Sequence, residues 1–148
     1  MASQAFNIAK KYLSNAEINP QADTIKVALL MTNQTVDNGT SKDCDNIDAF
    51  STLDEFDGTN YTRQTLTINP AVDDAADRAE AIESSGTTKF SGIMAGTRAI
   101  DGALVYLHVS SSDTLNIPIG WVEFTADITA NGGDVTITWS SNGVWTLS

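Results

Sequence analysis

The spacing of hydrophobic positions switches from three or four residues to two within the first thirty residues. Near the start, Phe6, Ala9, Leu13 and Ala16 recur at helical spacing, and Ser3 stands where an N-cap would stand. Asn19-Pro20 stops such a helix, because the residue before a proline avoids the α region. The pattern predicts an amphipathic α-helix over residues 4–17. Its apolar stripe favours packing on the rest of the protein, with an arm docked on a neighbouring subunit as the alternative.

From residue 24 the period is two. Residues 24–32 read as a strand with Ile25, Val27, Leu29 and Met31 on one face and Ala28 and Leu30 on the other. Apolar on both faces, it belongs between two layers. Residues 33–58 are polar, acidic and rich in turn signals such as Asp37-Asn38-Gly39 and Asp57-Gly58, and predict a long acidic connection tied down by Phe50, Leu53 and Phe56. Residues 60–68 alternate with a Thr-rich face. Residues 71–86 carry local helix signals, with Asn69 as N-cap, Pro70 at the first helical position and Gly86 beyond the end.

The C-terminal third predicts strands over residues 102–109, 116–124, 134–140 and 143–147, separated by short turns. Val135, Ile137 and Trp139 alternate on one face, which predicts a hairpin through Ser140-Ser141-Asn142-Gly143 to a closing strand bearing Trp145 and Leu147. Pro118 cannot donate to a ladder, so its strand is an edge strand or is bulged there. Many short strands with little helix imply a mainly β fold, an antiparallel β-sandwich or jelly roll with a short N-terminal α-helix. No repeat or linker divides the 148 residues, so a single β-sandwich domain over 1–148 is expected.

Composition narrows the function. With 19 acids against 8 bases the net charge is −11, which repels a phosphate backbone, so no nucleic-acid partner is expected. Seven of the acids lie in residues 37–57 and five in 73–83, so the charge marks connecting segments more than one binding face. The longest apolar runs, 27–31 and 103–107, are five residues and the N-terminus has no basic start, so neither export nor a membrane partner is expected.

Candidate chemistry is sparse. Cys44 is the single cysteine and His108 the single histidine, which leaves no cysteine- or histidine-based metal cluster and one candidate imidazole base. His108 is expected as a core or interface histidine bonded to backbone or to Tyr106. Asp43, Asp45 and Asp48, with Asp54, Glu55 and Asp57 nearby, are hard oxygen ligands of the kind calcium takes, yet they lack the EF-hand register and read as a solvated acidic loop. Trp121, Trp139, Trp145, Tyr61, Tyr106 and Tyr12 are candidates for a carbohydrate-stacking platform, although alternation places Trp139 and Trp145 in the core. Nucleophile-elbow, phosphate-loop and dinucleotide motifs are missing. No catalytic residue, metal or cofactor is assigned, and no enzyme activity is expected.

Four stretches carry a family resemblance: Ala22-Asp23-Thr24-Ile25-Lys26-Val27-Ala28-Leu29-Leu30 after a short helix; Gly58-Thr59-Asn60-Tyr61-Thr62-Arg63-Gln64-Thr65-Leu66-Thr67; Asp77-Arg78-Ala79-Glu80; and Asn131-Gly132-Gly133-Asp134-Val135-Thr136-Ile137-Thr138-Trp139. In this order the chain resembles a group of small virion structural proteins of tailed bacteriophages, several of which resemble capsid decoration or cement proteins. The resemblance spans most of the chain except residues 33–50. It implies an extended strand around residues 78–82, which we take over the local helix signals. It also implies synthesis in the host cytoplasm, a place on the outer surface of the capsid, binding to the major capsid protein, and self-association as a trimer at local three-fold positions. Phe6, Lys10, Lys11 and Leu13 of the N-terminal helix are then candidate docking residues for an acidic, partly apolar groove. The alternative is a tail-fibre or receptor-binding module, which would expose a glycan-binding aromatic patch.

Overall fold

The computed structural model describes residues 3–19, 21–69, 72–73, 79–81, 83–140 and 144–147. Strand β1 (Ser3–Ala5) leads into helix α1 (Asn7–Ser14), followed by β2 (Ile25–Met31), two 3-10 turns (Gly39–Asp43 and Ile47–Ala49) and β3 (Gln64–Leu66). Then come β4 (Val72–Asp73), β5 (Ala79–Ala81), β6 (Thr87–Phe90), β7 (Ile100–Leu107), β8 (Ile117–Ile128), β9 (Val135–Thr138) and β10 (Trp145–Leu147). The fold is mainly β and sandwich-like, with antiparallel pairing throughout and one short N-terminal helix.

A five-stranded sheet in the order β1-β8-β7-β2-β3 forms the centre. As its alternation predicts, β2 feeds both faces. On one face Ile25, Val27, Leu29 and Met31 join Ala103, Val105 and Leu107 of β7 and pack against Phe90, Ile93, Val135, Ile137 and Trp139, from the layer that carries the β6-β9 pair. On the other face Ala28, Leu30, Leu104, Tyr106 and Trp121 are covered by Phe6, Ile8, Val36, Ile47 and Phe50. The second cover is therefore not a sheet. It is the start of α1 and the acidic connection, held there by Phe50 and the partly buried Leu53, while Phe56 at the end of the connection packs into the first face.

Three local expectations need correction. The helix covers Asn7–Ser14 and not 4–17, because Ser3–Ala5 pair with Gly120–Val122 of β8 and the Phe6 N–H donates to the Ile119 carbonyl at 3.1 Å. Phe6, in an extended conformation, occupies the N-cap position without a side-chain cap, and the Ser3 backbone lies in β1 instead of at the helix start. A sheet edge with open ladder groups competes successfully here with one extra helical turn. The hairpin between residues 134–140 and 143–147 does not form: β9 pairs with β6 and β10 pairs with β5. The turn residues Ser141, Asn142 and Gly143 lie outside the described residues. Strand β6 itself, Thr87–Phe90, lies just past the supposed helix end at Gly86 and was not expected.

In the ambiguous segment the extended reading holds at Ala79–Ala81, which pairs on one side with β4 and on the other with β10; Arg78 and Ile82 lie outside the described residues. Pro118 sits at a bulge. The register passes from Val105↔Gly120 to Tyr106↔Pro118, so Ile119 is an extra residue, and it joins the core face opposite Trp121. Among the described residues no helix is long and apolar enough to cross a membrane.

Candidate interaction surface

The densest polar constellation surrounds Arg63, just before β3. Its Nε donates to Glu55 Oε1 at 2.8 Å and its Nη2 to Glu55 Oε2 at 2.6 Å. Nη1 and Nη2 donate to Asp113 Oδ1 and Oδ2, both at 2.7 Å, and Nη1 also donates to the Tyr106 hydroxyl at 3.2 Å. All five guanidinium N–H groups are thereby used, in two bidentate forks that only arginine can make. The guanidinium also lies over the Tyr106 ring, 5.2 Å from its centroid.

The carboxylates are equally committed. Glu55 Oε1 accepts the Tyr61 hydroxyl at 2.9 Å, and that hydroxyl accepts the Leu29 backbone N–H at 3.0 Å. Asp113 Oδ1 accepts Asn116 Nδ2 at 2.9 Å. The Arg63 hydrogen bonds hold the Asp113 carboxyl below the usual carboxylate range, and those to Asp113 and Glu55 push the guanidinium further up. Burial, then the Glu55 charge, raises the Tyr61 hydroxyl. Perturbed groups of this kind mark active sites and structural ion networks alike. Here each acid and base is saturated by its neighbours, so the cluster is a clasp joining the end of the acidic connection, β2, β7 and the β7–β8 loop.

That loop, residues 108–116, is built on Asn116, which is fully enclosed. Asn116 Oδ1 accepts the N–H groups of Val109 and Ser110 at 2.9 and 3.2 Å, and the Asn116 carbonyl accepts the Ile47 N–H at 3.0 Å. Ser110, Ser112 and Thr114 bond to one another within the loop. Polar groups thus hold the loop in place, while Val109 and Leu115 are left 55% and 56% exposed.

His108 opens the loop. Its ring meets Tyr106 edge-on at 6.3 Å, but the enclosed Nδ1 has no hydrogen-bond partner in the protein, contrary to the expected bond to backbone or to Tyr106. Burial, with Lys26 and Arg63 nearby, holds its pKa below the ordinary histidine value against a smaller opposing pull from Asp113.

The other candidate residues are dispersed. Phe6 is fully buried against Phe50 and Leu13 is half-buried on the core, whereas Lys10 and Lys11 are exposed. Only the two lysines of that set face solvent. In the acidic connection Asp43 accepts Asn7, Asp54 accepts Arg98 and the Asn33 N–H, and Asp57 accepts the Thr97 N–H and hydroxyl. Among the described residues no three His, Cys, Asp or Glu side chains converge as metal ligands. Trp121, Trp139 and Tyr106 are buried, and Trp139 Nε1 donates to Thr88 Oγ1 at 2.8 Å, so these rings form core and not a sugar platform; the Trp145 side chain lies outside what is described.

Sequence reasoning missed the clasp and the loop. Arg63 stood in an alternating, Thr-rich stretch, Asp113 in a short turn between two expected strands, and Asn116 at the start of the second of them. The two acids lie 8 and 50 residues from Arg63, so no local spacing connects them. No family model, curated protein or solved structure matches the chain.

Proposed function

We propose that this chain is a virion structural protein of a tailed bacteriophage, a capsid decoration or cement protein that binds the major capsid protein on the outer surface of the head. What supports the reading is the resemblance of the four stretches, together with one structural observation that carries it further. The strongest acids and bases of the centre are consumed by one another in the Arg63 clasp, and the loop they stiffen turns aliphatic side chains to solvent. Such an arrangement suits a protein that works through a rigid complementary surface.

A cement protein spans joints between shell subunits and adds buried interface that must rupture before the shell opens. Binding to the assembled state alone stabilises that state by mass action. Particles lacking the chain should assemble and package DNA yet release it at lower temperature, and added protein should restore resistance saturably. Particles that stay equally stable but fail to adsorb to host cells would establish a receptor-binding role instead. Mass spectrometry of purified virions separates the two by copy number, hundreds for a capsid component against at most a few dozen for a fibre.

A further inference from the structure

Three large hydrophobic side chains are exposed among the described residues: Met94, Val109 and Leu115. Two of the three belong to the nine-residue loop 108–116 and flank Asn116 there, Leu115 by sequence and Val109 through its N–H bond to the Asn116 side chain. Aliphatic side chains at a loop tip usually fold back or sit on mobile backbone. These are held outward by a loop whose closure is completed by an enclosed asparagine and, through Asp113, by Arg63. A loop ordered before contact has already lost the conformational freedom that binding would otherwise remove.

The surroundings state the sign of the partner. The 3-10 turn Ile47–Ala49 docks on this loop, with the Ile47 N–H on the Asn116 carbonyl at 3.0 Å and the Asp48 N–H on the Asp113 carbonyl at 3.4 Å. It places the exposed Asp48 beside Asp113 of the loop, and the exposed Asp45 precedes it by three residues in the chain. The loop itself contains no lysine or arginine; of the bases beside it, Arg63 is spent on Asp113 and Glu55, and Lys26 of β2 lies near His108 at the start of the loop. A second copy of a chain with net charge −11 would bring more acid to this surface and is disfavoured as occupant.

We propose that loop 108–116, with Val109 and Leu115 as apolar anchors and Asp45 and Asp48 as an anionic rim, is the surface by which this protein docks into an apolar depression bordered by lysine or arginine on its partner. This rests on the reading above, under which the partner is the shell protein. Apolar anchors set the lifetime of the contact, and the acidic rim sets its approach rate and salt dependence.

The experiment uses the full chain and particles of its own virus prepared without it, with binding followed by co-sedimentation at several salt concentrations. The double variant Val109→Ser/Leu115→Ser should bind at least tenfold more weakly, with an unchanged melting temperature because both side chains are exposed. Asp45→Asn/Asp48→Asn should bind with a shallower salt dependence. Met94→Ser, which alters the third exposed side chain, should bind like the parent. Parent-like binding by the loop double variant, while the parent binds saturably, overturns the docking surface and leaves the cement reading standing. Failure of the parent chain itself to bind overturns both.

Discussion

His108 is the residue whose state is easiest to read, because it is alone. Its neutral form is favoured by burial and by Lys26 and Arg63, with Asp113 pulling weakly the other way. A base whose folded pKa lies below its unfolded value, about 6.5, stabilises the fold fully above that value and loses the contribution as pH falls through it. The single imidazole resonance in a proton NMR titration should therefore show a midpoint below 6.5, and a midpoint above it would mean that the ring has found an acidic partner. Gly102 is the second telling residue. A Cβ there would lie 2.4 Å from the Trp121 ring and equally close to the Val122 carbonyl. Backbone on one side and a buried indole on the other leave no room to yield. Gly102→Ala should lower stability in urea unfolding by about 1–3 kcal/mol, the usual cost of overpacking.

At the scale of elements, the clasp decides how firmly the β7–β8 loop is held. The side chains of Arg63, Glu55 and Asp113 are only 22–28% exposed, so their hydrogen bonds are partly shielded from water and salt. Arg63→Ala should cost about 2–3 kcal/mol, the scale of charge-assisted bonds left unmade. Hydrogen exchange should accelerate at Val109 and Ser110 in that variant while the β2–β7 ladder stays protected. Arg63→Lys should recover little, since an ammonium cannot make both forks. The pH response follows from Asp113. Its folded pKa is depressed, first by the Arg63 hydrogen bonds, so its contribution is complete above the unfolded value, about 3.9, and is lost as pH falls through the folded value. Asp113→Asn should be less stable at neutral pH and should flatten the acid limb of the stability profile; an unchanged limb would place the acid sensitivity elsewhere.

For the whole molecule, two covers on one central sheet mean that removing either should be felt globally. Trp139 fills the first cover and bonds Thr88. Trp139→Ala should cost on the order of 3–5 kcal/mol in thermal or urea unfolding, as large-to-small core changes do. The second cover includes the N-terminal segment, where Phe6, Ile8 and Ala9 are 0%, 8% and 2% exposed and β1 completes the edge of β8. Deleting residues 1–17 should therefore lower the melting temperature steeply; a truncated chain that melts like the parent would return α1 to the status of a detachable arm.

Several features were legible in the residue pattern because their causes are local. An apolar run on both pleat faces can sit only between two covers, which placed β2. A proline inside a strand cannot donate to a ladder, which called for an edge strand or a bulge at Pro118, and the bulge is what forms, in a strand flanked on both sides. Phe50, Leu53 and Phe56, spaced through an acidic connection, announced where it would be pinned. Strand partnership was not legible, because ladder hydrogen bonds are made by a backbone common to all residues, and turn signals favour the nearest strand whether or not it is the true partner. Val135–Thr138 accordingly pairs with Thr87–Phe90, across the chain, and not with Trp145–Leu147. The clasp was hidden for a related reason. The meeting of Arg63 with Glu55 and Asp113 is made by the sheet and its two covers, which bring distant segments within 3 Å, and only that tertiary arrangement turned one base and two acids from solvated charges into the anchor of a rigid loop.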